Sequence, residues 1–479
     1  MVMKVEGWLL MIESLFMTVP LITSLIYRED DYKAFLCAIA ITLCSGILLT
    51  FGLHPRRTDM GKREGFLLTG LVWVLYSFFG MIPFILCSNP LSISDSFFEA
   101  MSGFTTTGAS ALPSVENYSH GIIMWRSLMQ WIGGMGIILF TLAVIPMLNH
   151  AGGIQMFNAE VTGITHDKIR PRISQTAKGL WAVYIILTLV LIFLLWLGPM
   201  DFYESMCHAF SAISTGGYST VDDSIAHYNS NYTKIILIVF MFLGGVNFGL
   251  MYRAGIGEWK PIFQNDVFRT YVRMVLAFWF MFIISIVLRG QYTDILSVTI
   301  DPLFIVISTI TSTGLAVVDY EQWGPFIWAL MLMMMFFGAC AGSTSGGAKL
   351  DRMLCLLKNT RNEIHRALHP NAVMSVRING RVVPQSLVSK VLAFLCLFII
   401  ILTVGTTLLT AFHIPLSDAL FSSFSCLCNT GFGSGVTGPS HGFGNVPDIT
   451  KWIMSAMMLI GRLEIFTILI LFTRSFWNR

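Results

Sequence analysis

The stretch Gly103-Phe-Thr-Thr-Thr-Gly-Ala-Ser110 is uncharged, polar and glycine-bearing, and it lies between two long apolar runs. Whether it occurs once, as a turn would, or returns decides the fold. It returns three times, as Ile213-Ser-Thr-Gly-Gly-Tyr218, Thr311-Ser-Thr-Gly-Leu315 and Cys428-Asn-Thr-Gly-Phe432. Aligned on Thr-Gly, the shared glycines are Gly108, Gly216, Gly314 and Gly431, spaced by 108, 98 and 117 residues. Each follows a short, mostly apolar segment: Asp95–Phe104, Tyr203–Ala212, Asp301–Ile310 and Asp418–Leu427. Ten helical residues rise about 15 Å, half the hydrocarbon thickness, so these segments read as re-entrant helices. A lone Ser-Thr-Gly is only a turn signal. Four in matched positions are an internal repeat, which speaks for the whole fold.

The surroundings are those of a membrane protein. The chain has 479 residues, 55% hydrophobic and 12% charged, against about 25% charged in soluble domains. Ten runs read as spans: Trp8–Tyr27, Ala34–Leu53, Gly65–Cys87, Ile122–Leu148, Leu180–Leu197, Ile235–Met251, Tyr271–Leu288, Phe326–Ala341, Val388–Ala411 and Trp452–Phe472. Ten spans put both termini on one side. The first run lacks a clear cleavage site and reads as a retained helix. The nine cysteines show no metal or redox spacing and read as small buried hydrophobes.

Charge fixes the orientation. Segments 54–64, 149–178, 253–273 and 349–390 hold 20 of the 30 Lys and Arg residues. Segments 88–120, 199–233, 290–326 and 412–450 hold none, but carry 13 Asp and Glu. Positive loops stay cytoplasmic, so the acidic segments face outward and both termini are cytoplasmic. An acidic outer face concentrates cations at any mouth there; the same acids also serve as helix caps in an alternative reading.

The repeat unit is span, re-entrant helix, Thr-Gly strand, span. Gly134, Gly245, Gly342 and Gly461 extend it, lying 26 to 30 residues beyond their strand glycines. The expected architecture is an all-α polytopic membrane protein with four such units in pseudo-fourfold arrangement around one pore. Residues 1–63 add two N-terminal helices; the repeats are 64–150, 151–256, 257–370 (with an interrupted second span) and 371–479.

Irregular backbone at membrane depth is tolerated only when buried in protein or lining a watery cavity. Four such strands about one axis offer rings of carbonyls, which replace the hydration shell of a cation. Glycine admits the dihedrals that turn carbonyls inward. The candidate filter is Thr106, Thr107 and Gly108; Ser214, Thr215 and Gly216; Ser312, Thr313 and Gly314; and Asn429, Thr430 and Gly431. The threonines either add hydroxyl ligands or tether the strands. Oxygen ligands without a carboxylate cage suit a weakly held monovalent ion better than Ca²⁺.

These half-spanning helices with Thr-Gly strands resemble the Trk/Ktr/HKT superfamily of potassium transporters. The stretches Gly338–Lys349 and Gly461-Arg-Leu-Glu-Ile-Phe-Thr467 resemble specifically the Trk system potassium uptake proteins of TrkH type, and the resemblance spans essentially the whole chain. It implies a homodimer in the inner membrane of a bacterium, with one pore per subunit passing K⁺ and Rb⁺ and no other cofactor. It also implies a separate cytosolic, ring-forming, nucleotide-binding regulator of TrkA type on the basic cytoplasmic face. In that superfamily a serine at the first filter glycine accompanies sodium preference, so Gly108 implies potassium. The varied residues Thr106, Ser214, Ser312 and Asn429 lead us to expect moderate selectivity.

Two features are gate candidates. Gly338, Gly342, Ser343, Thr344, Ser345, Gly346, Gly347 and Lys349 interrupt an apolar span with residues that hold no firm helix. They read as a mobile intramembrane loop below the filter, or as close helix packing through small residues. The stretch superficially resembles a phosphate-binding loop, but Ala348 stands where the lysine belongs and a membrane span precedes it. Arg462 lies near the middle of the last span, where a charge is costly and points to function. It reads as facing the pore cavity or the carbonyls of the 338–349 loop, the alternative being a tie between two helices.

Other classes fit less well. No His-Glu-x-x-His pattern or nucleophile–base arrangement stands out, so an enzyme is not expected, nor is nucleic-acid binding. An ion-coupled secondary transporter, moving K⁺ with H⁺ or Na⁺ by symport, is the main rival. Many such proteins use inverted repeats, whereas these four run in the same sense. A non-transporting receptor leaves four filter-like strands unexplained.

Overall fold

The computed structural model describes residues 1–52, 61–136, 173–290, 294–439 and 441–477. The 150/151 repeat boundary, the later part of the Ile122–Leu148 run and most of the basic segments 54–64 and 149–178 lie outside them.

The described chain is nearly all helix, with one two-residue hairpin pairing Arg377–Ile378 with Arg381–Val382. Among the described residues six helices are long and apolar enough to cross a membrane: Val2–Ile26, Tyr32–Phe51, Arg63–Leu86, Ala177–Trp196, Asp266–Leu288 and Gln385–Ala411. They are the two N-terminal helices and the leading span of each repeat. The N-terminal pair crosses at Gly7 and Gly46; a Cβ on Gly7 would lie 2.6 Å from the Gly46 carbonyl oxygen, the close approach that small residues allow between membrane helices.

Four shorter helices follow four of these spans and enter the interior: Ile93–Phe104, Phe202–Ile213, Ile295–Ile310 and Leu416–Cys428. These pore helices are 12, 12, 16 and 13 residues long, so the re-entrant expectation holds. The third starts six residues before Asp301, and Pro302 sits inside it. Ser92, Asp201 and Asp294 cap the first three, each accepting a first-turn N–H. The capping alternative is thus real for Asp201 and Asp294.

The closing helix of every repeat stops short, as expected only for the third. His120–Gly134 ends after 15 residues, and Gly136 has φ +73°. Asn231–Gly244 breaks and resumes as Phe248–Gly255, bent by 104°. Pro325–Phe337 ends at the interrupted loop. Asp448–Arg462 breaks before Phe466–Leu471, with Glu464 at φ +54° and Ile465 at φ +59°. Only the third break was read from sequence. The runs Ile235–Met251 and Trp452–Phe472 are therefore broken spans rather than continuous helices.

Close approach accompanies the first and last of these breaks. A Cβ on Gly133 would lie 1.8 Å from the Phe104 carbonyl oxygen, and one on Gly461 would lie 2.1 Å from that of Leu427. Glycine lets the closing helix touch the end of its own pore helix. Glycine also weakens the helix there.

Candidate functional site

Each pore helix ends in the same hydrogen-bonded cap. The N–H groups of Thr107, Gly216, Thr313 and Thr430 donate to the carbonyls of Ser102, Ser211, Ser308 and Ser425, at 2.7–2.9 Å. Those of Thr106, Thr215, Ser312 and Asn429 donate to Gly103, Ala212, Thr309 and Cys426. This is the Schellman pattern, in which the residue just past the helix is left-handed. Thr106, Thr215, Ser312 and Asn429 have φ of +54°, +55°, +55° and +53°. Left-handed φ is uncommon for β-branched residues and is held only where the surroundings impose it.

Beyond these caps the strands close into a ring. A Cβ on Gly108 would stand 2.0 Å from the Gly216 carbonyl oxygen, and one on Gly217 2.1 Å from that of Thr313. One on Gly314 would stand 2.2 Å from the Thr430 oxygen, and one on Gly431 2.2 Å from that of Thr107. The cycle runs through strands one, two, three and four and back to one. All four glycines have φ between +80° and +90°, and they are part-exposed while the three residues before each are buried. Any side chain here would displace a neighbour's carbonyl.

The ring corrects the alignment of strand two. Gly217, not Gly216, corresponds to Gly108, Gly314 and Gly431; Gly216 stands where the other strands have Thr107, Thr313 and Thr430. A signal for this register was present. Asp95, Glu204, Asp301 and Asp418 each lie 13 residues before the ring glycine, and only Gly217 keeps that spacing. Aligning on the tripeptide Ser-Thr-Gly hid it.

The hydroxyls of Thr107 and Thr313 bond within their own strands. Thr105 Oγ1 donates to the Met101 carbonyl at 2.6 Å, so the 2.8 Å contact with Thr107 is donated by the Thr107 hydroxyl. Thr311 and Thr313 repeat the arrangement at 2.7 Å. Asn429 Nδ2 donates to Thr107 Oγ1 at 3.0 Å and to the Met458 carbonyl at 2.9 Å, joining strands four and one.

Electrostatics favour a cation at the ring. Four helix C-termini converge on it, and each presents the negative end of its dipole. Buried ion pairs brace the pore helices from outside. Lys234 Nζ lies 2.7 Å from Asp301, and Lys451 pairs with Asp95. Both lysines are on closing helices and each reaches the pore helix of the following repeat. Arg126 lies 2.6 Å from Glu99, both fully buried.

Beneath the ring the interrupted segment is packed and bonded. Gly338, Gly342 and Gly347 have φ of +63°, +74° and +79°. Thr344 Oγ1 lies 3.2 Å from the Ile213 carbonyl and 3.1 Å from that of Gly244. The Cys340 N–H donates to Gly245, and Asn247 Nδ2 donates to Ala341 at 2.6 Å. The Gly346 N–H donates to Ser312 Oγ at 2.6 Å, while Ser343 Oγ turns back on the Cys340 carbonyl and Ser345 Oγ on that of Gly346. Gly346, rather than Gly342, takes the place of Gly134 and Gly245. Cβ atoms there would meet Cys428, Ser214 and Thr311, the corresponding residues of the next strands.

Arg462 occupies that same place in the last repeat. Its guanidinium donates to the carbonyls of Thr344 at 3.1 Å, Gly133 at 2.5 Å and Gly134 at 3.1 Å. It thereby joins the loop to the end of the first closing helix. Two residues on, Glu464 bonds Arg352 and lies 3.7 Å from Lys349.

A family model described as TrkH, cation transport protein, matches residues 31–478. The chain belongs to the TrkH family. The Trk system potassium uptake protein TrkH of Escherichia coli K12 is 35% identical over 480 residues, covering 99% of this chain and 98% of that protein. The protein of the same name from Vibrio parahaemolyticus is 33% identical, covering 100% and 99%. The crystal structure of the potassium transporter TrkH from Vibrio parahaemolyticus matches with a TM-score of 0.90 at 31% identity, over 100% of this chain and 99% of that one. The chain is thus a multi-pass membrane protein of a transport family.

Proposed function

We propose that this chain takes up K⁺ across the cytoplasmic membrane of a bacterium, as the pore subunit of a Trk-type system. The observation that carries the reading is the closed cycle of glycines and carbonyls. A dehydrated monovalent cation on its axis is met by the carbonyl oxygens of Thr107, Gly216, Thr313 and Thr430. The relatives named above bear the names of potassium uptake proteins. The filter comprises Thr106, Thr107, Gly108, Ser214, Thr215, Gly216, Ser312, Thr313, Gly314, Asn429, Thr430 and Gly431, with Gly217 added.

The gate is the segment from Gly338 to Lys349 together with Arg462. The segment blocks the path below the ring, and the Arg462 charge opposes cations there until both move. Opening requires breaking the guanidinium's bonds, which ties flux to any partner that shifts the helix Leu350–Leu368 through Glu464 and Arg352. Two copies form a homodimer, and a cytosolic nucleotide-binding ring of TrkA type docks on the basic face. The four-repeat division given above describes how the pore is built.

The test is rubidium uptake into liposomes holding the purified chain, driven by membrane potential. Uptake blocked by K⁺ and far less by Na⁺ supports the reading. Uptake that needs a proton or sodium gradient instead indicates an ion-coupled carrier.

A further inference from the structure

Strand two lacks a side chain where its counterparts carry threonine, and the gap is filled from elsewhere. A Cβ on Gly216 would lie 2.3 Å from Gln130 Cδ and 2.5 Å from its Oε1. Gln130 is on the closing helix His120–Gly134 and is fully buried. Its Oε1 accepts the Tyr218 N–H at 3.2 Å, and its Nε2 has no protein partner. Among the described residues, the corresponding N–H groups of Ala109, Leu315 and Phe432 have no such side-chain acceptor.

The repeats supply an internal comparison. Counting back four residues from Gly134, Gly245 and Arg462 gives Gln130, Met241 and Met458. Each helix faces the strand of the next repeat. Met241 precedes the strand bearing Thr313, and Met458 precedes that bearing Thr107. Gln130 precedes the strand bearing Gly216. In those two repeats methionine goes with threonine, and here glutamine goes with glycine; in the third the place falls at Gly342, inside the interrupted loop.

We propose that Gln130 is a specificity-determining positioning residue of the second filter strand. Its side chain occupies the space that threonine takes in the other strands. In a trans peptide the carbonyl and the following N–H point in opposite directions. By holding the Tyr218 N–H on the outer side, Gln130 aims the Gly217 carbonyl away from itself, toward the axis. A shift of that carbonyl changes the cage a dehydrated K⁺ meets and so alters K⁺ against Na⁺ discrimination. This rests on the reading of the ring as the selectivity filter.

The experiment uses the full chain in liposomes and compares inhibition of rubidium uptake by K⁺ and by Na⁺. The variants are Gln130→Met, Gly216→Thr and both together. Gln130→Met is expected to lower the K⁺-to-Na⁺ inhibition ratio about fivefold, the effect of one lost hydrogen bond. Gly216→Thr alone collides with Gln130 and loses uptake. The double variant recreates the pairing of Met241 with Thr313 and of Met458 with Thr107, and regains both uptake and the ratio. Should Gln130→Met not fold, Gln130→Ala with and without Gly216→Thr gives the same comparison.

A ratio unchanged in Gln130→Met, or a double variant no better than Gly216→Thr alone, overturns the proposal while leaving the filter standing. A residue that only packs lowers folded yield without moving the ratio, and that too overturns it. If the unsubstituted chain shows no preference for K⁺, the filter reading fails and this inference falls with it.

Discussion

The guanidinium of Arg462 donates to the carbonyl of Gly134 at 3.1 Å, although the two residues hold corresponding places in their own repeats. Three of the four places at this level carry glycine, at 134, 245 and 346; the fourth carries a charge. The side chain that breaks the fourfold pattern is the one that binds the end of the first closing helix to the interrupted loop.

Replacing Arg462 with alanine removes three charge-assisted hydrogen bonds, of which even one contributes about 1.5–3 kcal/mol. Arg462→Ala is expected to keep the fold by size-exclusion profile and raise rubidium uptake about tenfold or more. Unchanged or lost uptake in folded protein contradicts the gate.

Thr344→Val tests the loop at its other anchor. The hydroxyl near the Ile213 and Gly244 carbonyls is lost, at about 1 kcal/mol. The loop's closed-to-open ratio falls about fivefold, and uptake rises by a similar factor in the same liposome assay. A drop in uptake with the fold intact argues that the loop conducts rather than blocks.

Gly217→Ala puts a methyl group 2.1 Å from the Thr313 carbonyl oxygen at a left-handed backbone position. Potassium-blocked rubidium uptake is expected to disappear. Gly255→Ala is the control: that glycine ends a helix, and a Cβ there meets nothing within 4 Å. Its uptake and thermal stability are expected to match the parent, within about 0.5 kcal/mol. Equal effects at the two positions count against the ring.

The Lys234–Asp301 pair is buried, so Lys234→Met alone strands a carboxylate and costs about 3–5 kcal/mol. Lys234→Met with Asp301→Leu leaves no orphan charge and is expected to recover most of the loss. Thermal unfolding in detergent, followed by fluorescence, reads both. A double variant no more stable than the single one shows that the pair is not electrostatically coupled.

The architecture was legible because composition, charge alternation and the fourfold return of Thr-Gly all point to one arrangement. The register of the glycine ring was only partly so. Ser-Thr-Gly matched the other strands best with Gly216 in the glycine place; the 13-residue spacing from Glu204 pointed to Gly217, and backbone conformation put it there. The breaks in the closing helices were hidden for a different reason. Ile235–Met251 and Trp452–Phe472 are apolar enough to span, and hydropathy does not register a helix stopped by contact with a neighbour. Gly245 and Gly461 mark those contacts, but a glycine in sequence does not say what it approaches. Gln130 was invisible because its partner is an absent side chain 86 residues away.

The most direct test of the central claim is anomalous scattering from crystals grown or soaked in rubidium. The account predicts a peak on the axis between the carbonyl oxygens of Thr107, Gly216, Thr313 and Thr430, which K⁺ reduces in competition. Rubidium bound elsewhere, with that position empty, would contradict it.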